Sequence, residues 1–425
     1  MGRSDEPSRP TRLSDKELAI AKRNSQEVIV NEVIVVFNAG STSLKFATYA
    51  VDGGATLSAL RVGRIDSMQG NPHFAVTDGA GKPLDAHEWG SGNAIEPAAA
   101  LHHIIGWLKA NLPDHEIIAV GHRVVLGGTR FDAPVLIDDD VLDYLDSLAA
   151  MEPSHQRCNV AGARASAEAF PGRPQVACFD NSFHRTMPEV ARTYALPKDV
   201  RDAGVRHWGY HGISYDYISR QMPAFAPTAR RVIVAHLGGG ASLCALLDGR
   251  SVETSMGFSA LSGLPMATRS GDVPPGALFY LLRSKRFDDA SLEKMLYERS
   301  GLLGLSGISG DMRVLQESAD PRAAAAIEHF VYAMTKTIGA YSAVLGGLDA
   351  LVFTGGIGEN SAPLRAALCG TLASLGVQSD GPANAAGGPR ISTADSSVSV
   401  WVIPTDEEWM IAQQTLALIG TRVRA

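Results

Sequence analysis

VIVVFNAGSTSLKF, residues Val33 to Phe46, reads as a buried strand, a break at glycine, and a second strand that contains Lys45. A hydrophobic hairpin that carries Asn38, Ser41, Ser43 and a lysine must supply partners for them, because burying lone polar groups costs stability. A second stretch, VIVAHLGGGASLCA from Val232 to Ala245, repeats the first at an offset of 199 (232 minus 33). Val-Ile-Val recurs, Gly40 lies over Gly239, and Ser43-Leu44 lies over Ser242-Leu243. Outward from the first copy the patterning predicts strands at 33–38, 43–51, 60–65 and 73–77, a helix at 95–111 and a strand at 117–125. Helices at 139–150 and 159–169 precede a strand at 175–180. Outward from the second copy (232–247) come helices at 275–284, 289–298 and 321–346, then the buried strand of DALVFTGGIGENS, which leads into a helix at Ala362. Each half is a sheet followed by helices, so the pattern predicts a duplicated α/β architecture.

The bulk properties agree with two domains around a shared cleft. The chain has 425 residues, 45% hydrophobic and 20% charged, which is the composition of a soluble globular protein too long for one core. A net charge of -7 with a pI near 6.0 gives no reason to expect nucleic acid or an anionic membrane as partner. Cys158, Cys178, Cys244 and Cys369 are scattered without CxxC or zinc spacing, so buried thiols in a reducing cytoplasm are expected. No apolar run has the length of a membrane span. Residues 1–31 are polar and charge-balanced; they read as a mobile extension, with a capping box at Ser14 to Glu17 that permits a short helix over 15–23.

Glycine turns that present several backbone N–H groups are anion sites. NAGSTS and HLGGGAS are both such turns between strands, and no GxxxxGK[ST] occurs. The competing reading of either alone is a plain hairpin. TGGIGENS (Thr354 to Ser361) follows a strand and offers loop amides for phosphates or ribose, and GLSGISGDMR (304–313) is a further small-residue loop that ends in Asp311 and Arg313. Arg123 in GHRVVLGG and Arg269 in TRSGD, the latter in a loop with Asp272, are candidate clamps for a carboxylate or phosphate, with structural ion pairs as the alternative. His122, His155, His184, His211 and His236 recur beside glycines and aromatics without metal-ligand spacing, and Asp180 closes an apolar strand where carboxylates point into clefts.

Taken together these segments resemble the acetate kinase family, from about Val33 to the C-terminus. The motifs NAGSTSLKF, GHRVVLGG, FDNSFHRTMP, VRHWGYHGIS, HLGGGAS, ETSMGF, TRSGD, SGLLGLSGISGDMR, FTGGIGEN and IPTDEE stand in the family's order. The resemblance implies two duplicated ribonuclease H-like (actin-like ATPase) domains with an interdomain active-site cleft. Their expected limits are 32–181, joined by a C-terminal helix at 408–425, and 182–407. It further implies a cytoplasmic homodimer that transfers the ATP γ-phosphate to acetate with Mg²⁺ or Mn²⁺, giving acetyl phosphate and ADP. Asn38 and Glu407 match its metal-site residues, with Glu408 one position away. Lys45 matches its ATP-contacting lysine, Arg123 the substrate arginine, Asp180 the active-site aspartate, and His211 and Arg269 the transition-state stabilisers. The nucleotide is expected along His236, Leu237, Gly238, Gly239 and Gly240, then Asp311, Met312 and Arg313, then Gly356, Ile357, Gly358, Glu359 and Asn360.

The chain departs from the family pattern at Leu126 (usually histidine), at Ser154, Gln156 and Arg157 around His155, at Gly239 (asparagine), at Tyr210 (phenylalanine) and at Ala260 (proline). These positions bear on the acyl pocket and the phosphate turn, so propionate, butyrate or a hydroxy acid is the nearest alternative substrate. A sugar kinase would need an aspartate base beside a hydroxyl pocket, whereas Arg123 with Arg269 fits a carboxylate. An ATP-binding module without an acceptor is the rival from another class.

Overall fold

In a computed structural model, which describes residues 31–40, 43–53, 56–68, 70–90, 92–153 and 155–423, the hairpin lies at the centre of a sheet. The expected helix over 15–23, Ser41 and Ser154 lie outside the described residues. Strand β1 (Asn31–Ala39) pairs antiparallel with β2 (Leu44–Asp52), followed outward by β3 (Thr56–Asp66), β4 (His73–Asp78) and β5 (Pro83–Glu88). On its other side β1 pairs parallel with β6 (His115–Val124), and the edge is completed by β8 (Gln175–Phe179) and the short β7 (Val135–Leu136). The second sheet has the order β11-β10-β9-β12-β13, from β9 (Arg231–Leu237), β10 (Ala241–Leu247), β11 (Arg250–Thr254), β12 (Ala350–Thr354) and β13 (Ser399–Val402). β3-β2-β1-β6-β8 and β11-β10-β9-β12-β13 are therefore one topology used twice: an antiparallel meander continued by two parallel strands.

Parallel neighbours need a crossover helix. Pro97–Asn111 provides it in the first sheet and Pro321–Leu345 in the second. Val35 and Phe37 pack with Ile104, Ile105 and Leu108 of the first helix, while Ile34 and Val36 face Met410 and Ile411 of the C-terminal helix Glu407–Val423. In the second sheet Ile233, Ala235 and Leu237 share a core with Phe330, Met334 and Ile338 of the crossover helix; Val232 and Val234 face Tyr215, Ile218 and Met222 of the helix Gly212–Phe225.

These faces correct the offset. An overlay by 199 puts Val35 on Val234, whose side chain points to the opposite layer, because a one-residue slip exchanges the two faces of a strand. Only an even offset superposes equivalent faces, and 198 (236 minus 38) lays Asn38 over His236 and Gly40 over Gly238. Phe37 pairs with Phe46 across the first turn and Ala235 with Leu243 across the second, so the intervening segments are 38–45 and 236–242, and the second turn is one residue shorter.

Several elements were not read from the sequence: β5, β7, β11 and β13, and the helices Gly212–Phe225, Gly301–Ser306 and Met312–Glu317, whereas the helix expected to start at Ala362 is present as Ala362–Thr371. β5 is exposed along its whole length and so carries no alternation, and Gly212–Phe225 has Pro223 inside it. GGIGEN is itself a short helix, Gly355–Asn360, where a loop was expected. All four cysteines are free, and among the described residues no helix is long and apolar enough to cross a membrane.

Candidate active site

Open α/β sheets place ligands beyond the carboxyl ends of their parallel strands. Here Asn38 and Arg123 are each one residue from the end of β1 and β6, and β8 runs into Asp180, so three polar side chains arrive at one edge. Asn38 is buried; its Nδ2 donates to Glu407 Oε2 and to Glu408 Oε1, each at 2.7 Å. Arg123 Nη1 donates to Asn38 Oδ1 at 3.2 Å, while its Nε and Nη2 donate to Asp180 Oδ2 at 3.0 and 2.6 Å. Asp180 has no exposed surface, and burial raises its carboxyl above the ordinary range even though Arg123 pulls it down. Burial also opposes the charge of Glu407, but Arg123 and Lys45 outweigh it and hold that carboxyl near 2. Lys45 stands opposite Asn38 on β2 and has its pKa raised chiefly by Glu408. Both glutamates thus engage Asn38, which accounts for the one-position ambiguity in TDEE.

The opposing wall comes from the second half. His211 adopts φ 58°, and its Nδ1 lies 2.8 Å from Ser242 Oγ. Its ring centroid lies 4.2 Å from that of His236 with the planes tilted by 33°; Ser214 Oγ lies 2.8 Å from His236 Nδ1 and donates to Thr405 Oγ1 at 2.9 Å. Burial lowers His236 to about 4 and His211 well below its ordinary value. Burial thus disfavours a charge on His211, whose Nδ1 is engaged with Ser242. A Cβ built on Gly240 would lie 3.3 Å from His211 Nε2 and 3.7 Å from Arg269 Nη1, so the glycine turn, His211 and Arg269 meet. Arg269 Nη1 donates to the Ala260 carbonyl at 3.0 Å. Asp272, expected beside it, instead accepts the Gly263 N–H at 2.8 Å.

The expected nucleotide strip is mixed in character. Leu237 and Met312 put their side chains in the hydrophobic core, which leaves only their backbone for a ligand. Asp311 caps its helix by accepting the Arg313 N–H and pairs with the Arg313 guanidinium at 2.6 Å. The Gly355 N–H is occupied by Glu359 Oε1 at 2.8 Å, Asn360 Nδ2 donates to the Gly356 carbonyl, and Ile357 packs on the core beside Gly358. Gly238 donates to Gly240 across the turn at 2.9 Å, and a Cβ at Gly239 would meet nothing within 4 Å. Of the departures from the family pattern, Leu126 is core, Arg157 is exposed, and Gln156 donates to the carbonyls of Leu126 and Leu145. Tyr210 donates to the Phe258 carbonyl at 2.8 Å. Ser214, Thr405 and Glu152 escaped the sequence reading, since nothing in their local pattern separates them from ordinary surface or capping residues, and Ser242 entered it only as the counterpart of Ser43 in the repeated hairpin.

Among the described residues no group of three or more His, Cys, Asp or Glu side chains could hold a metal by itself. Mg²⁺ does not require one: it binds through one or two carboxylates plus phosphates and water. Glu407 and Glu408, converging on Asn38 beside Lys45, supply the hard oxygen donors that such an ion takes.

Residues 33–413 match the model of the acetokinase family. Acetate kinase of Rhodopseudomonas palustris is 46% identical over 395 residues, covering 92% of this chain and 99% of the relative; that of Methylocella silvestris is 45% identical over 404 residues, covering 93% and 100%. Among solved structures, a propionate kinase from Francisella tularensis has a TM-score of 0.81 at 35% identity, covering 91% of this chain and 99% of the other. Porphyromonas gingivalis acetate kinase has 0.77 at 33%, covering 91% and 100%. The duplicated sheets, the convergent strand ends and a match over nearly the whole length lead to one conclusion: the chain belongs to the acetokinase family.

Proposed function

We propose that this chain is an acetate kinase that transfers the γ-phosphate of ATP reversibly to acetate, giving acetyl phosphate and ADP by direct in-line displacement. The observation that carries this reading is the convergence of Asn38, Arg123, Asp180 and Glu407 on one wall, opposite His211, His236 and Arg269. Phosphoryl transfer is mostly positioning plus neutralisation of charge on the transferring oxygens. A carboxylate is already ionised at neutral pH, so the attack needs no general base. Asp180, locked to Arg123, fixes that guanidinium for the acid and takes no proton. Arg269 donates to the phosphoryl oxygens, and neutral His211 adds a hydrogen bond. Lys45 and the turn Gly238 to Gly240 hold the donor phosphates. Asn38, Glu407 and Glu408 would hold Mg²⁺, which when bound offsets charge on the donor phosphates. Closure of the two halves excludes water and so limits hydrolysis of ATP and acyl phosphate.

The cytoplasmic homodimer is part of the same proposal. Helix Pro275–Arg283 has no buried residue although it carries Phe279 and Tyr280, exposed by 54% and 66%, which suits a face covered by a second copy. Propionate is the second reading, favoured by the small Ala260 and by the propionate kinase among the similar structures. A hydroxamate assay over acetate, propionate, butyrate and glycolate tests both: acetate is expected to give the highest kcat/KM, and no product from any acid would sink the activity proposed here.

A further inference from the structure

We propose that Glu152 is a positioning residue for phosphoryl transfer, acting through His155 to aim the Arg269 guanidinium; this rests on the reading that Arg269 meets the transferring group. Glu152 has no exposed surface, and a carboxylate so buried must be matched by donors and charge. Its Oε2 accepts the Ala260 N–H at 2.8 Å and its Oε1 lies 3.0 Å from His155 Nδ1. His155 Nε2 lies 3.4 Å from Arg269 Nη2, and Arg269 Nη1 donates to the Ala260 carbonyl at 3.0 Å. The four residues close a ring. Glu152 and His155 come from the half that holds the eight-stranded sheet, Ala260 and Arg269 from the half that holds the five-stranded one, so the ring joins segments of both halves.

Proton accounting orders the chain. A guanidinium only donates, so His155 Nε2 must accept from Arg269, and the imidazole proton sits on Nδ1 and is donated to Glu152. Glu152 therefore stays ionised, accepting from both His155 and Ala260. Burial favours the neutral imidazole that this arrangement requires. Burial also lowers the pKa of Arg269, and Glu152 is the foremost group that opposes this. Arg123 offers the contrast: Asp180 lies directly on its Nε and Nη2. For Arg269 the carboxylate charge is relayed through an imidazole, which fixes direction and charge while the carboxylate itself stands one residue back.

Two measurements test this. In the wild-type protein, ¹⁵N NMR of the histidines, with His155 assigned from its loss in His155→Asn, is expected to show a neutral Nδ1–H tautomer at pH 7.5. An Nε2–H tautomer or an imidazolium overturns the relay, and this readout needs no variant of Glu152 to fold. In steady-state kinetics Glu152→Gln is expected to lower kcat about 10- to 100-fold, the scale of a slightly misplaced catalytic group, with KM for ATP within about twofold. In the background of His155→Ala the same substitution should cost nothing further, because both act through one path. Multiplying effects would show that Glu152 acts elsewhere and overturn the relay. Arg269→Ala separates the two readings: near-normal kcat there defeats the assigned role of Arg269 itself, whereas an inactive Arg269→Ala with multiplying effects defeats the relay alone.

Discussion

Arg123→Ala removes both an expected substrate contact and the counter-charge of a buried acid, and the structure separates these two costs. Asp180 has no exposed surface and receives its two strongest donors, at 3.0 and 2.6 Å, from Arg123. Removing one partner of a buried pair costs about 3–5 kcal/mol, because the other is left charged and unmatched. Asp180→Ala should cost less, about 2–3 kcal/mol, since Glu407 lies 3.9 Å from Arg123 and takes over part of the compensation. With both groups gone Asp180 no longer strands a charge and Glu407 keeps Lys45 as its counter-charge, so the double variant should sit about 2 kcal/mol below wild type, well above the sum of the singles. Urea unfolding of the four proteins measures this cycle. Activity should behave oppositely: acyl phosphate formation falls by about 10²–10³ in Arg123→Ala and does not recover in the double variant, because the donor to the acid is still missing. ATP binding should survive in both, since Lys45 and the turn at Gly238 to Gly240 are untouched. Additive stability losses, or a double variant that regains activity, would refute the division of roles between Arg123 and Asp180.

Burial holds His122, His184 and His236 near 4, below their ordinary 6.5. The unfolded chain binds protons that the folded chain refuses, so stability is fully present above pH 6.5 and falls as pH drops towards 4. The slope approaches about 4 kcal/mol per pH unit for three groups, partly offset by Asp180, whose raised pKa works in the other direction; an unchanged urea midpoint from pH 7.5 to 5 would contradict this. A Cβ on Gly212 would overlap the Asp180 carbonyl oxygen, so Gly212→Ala should lose about 1–3 kcal/mol and depress kcat by moving Asp180 or the adjoining His211; full activity with unchanged stability would show that the contact has slack. Gly239→Asn meets open space and should leave stability unaltered while lowering KM for ATP about two- to tenfold, the value of one added hydrogen bond. A raised KM would mean that the turn is closed to a side chain.

What the sequence disclosed follows from what each feature depends on. Glycine turns, buried strand runs and the ends of β1, β6 and β8 are set by local pattern, so Asn38, Arg123 and Asp180 could be picked out before any geometry was known. Arg123 showed both of its candidate faces, a clamp and an ion pair, and the structure brings out the ion pair. The relay of Glu152 and the Ser214–Thr405 support of His236 depend on partners 108 and 191 residues away, which no local window contains. GGIGEN was read as a loop because two adjacent glycines weaken a helix, yet Glu359 closes its first turn by accepting the Gly355 N–H.

The corrected offset carries the last step. A one-residue slip is invisible to a comparison of apolar letters, because Val-Ile-Val matches itself nearly as well in either parity, whereas the packed layers admit only even shifts. At 198 the residue opposite Lys45 in the first copy, Asn38, superposes on His236 in the second. The two positions have diverged in their partners: Asn38 is tied to the carboxylates of Glu407 and Glu408, while burial keeps His236 neutral between Ser214 and the His211 ring. One turn thus gathers acidic oxygens of the kind a hard cation takes, and its copy offers neutral rings and glycine amides of the kind an anion takes. A duplicated hairpin that kept the same polar residue at both ends would have built two identical half-sites. Under the phosphoryl transfer proposed above, unlike residues at one equivalent position would let a duplicated scaffold serve an asymmetric reaction, with cation ligands on one hairpin and phosphate-facing amides on the other.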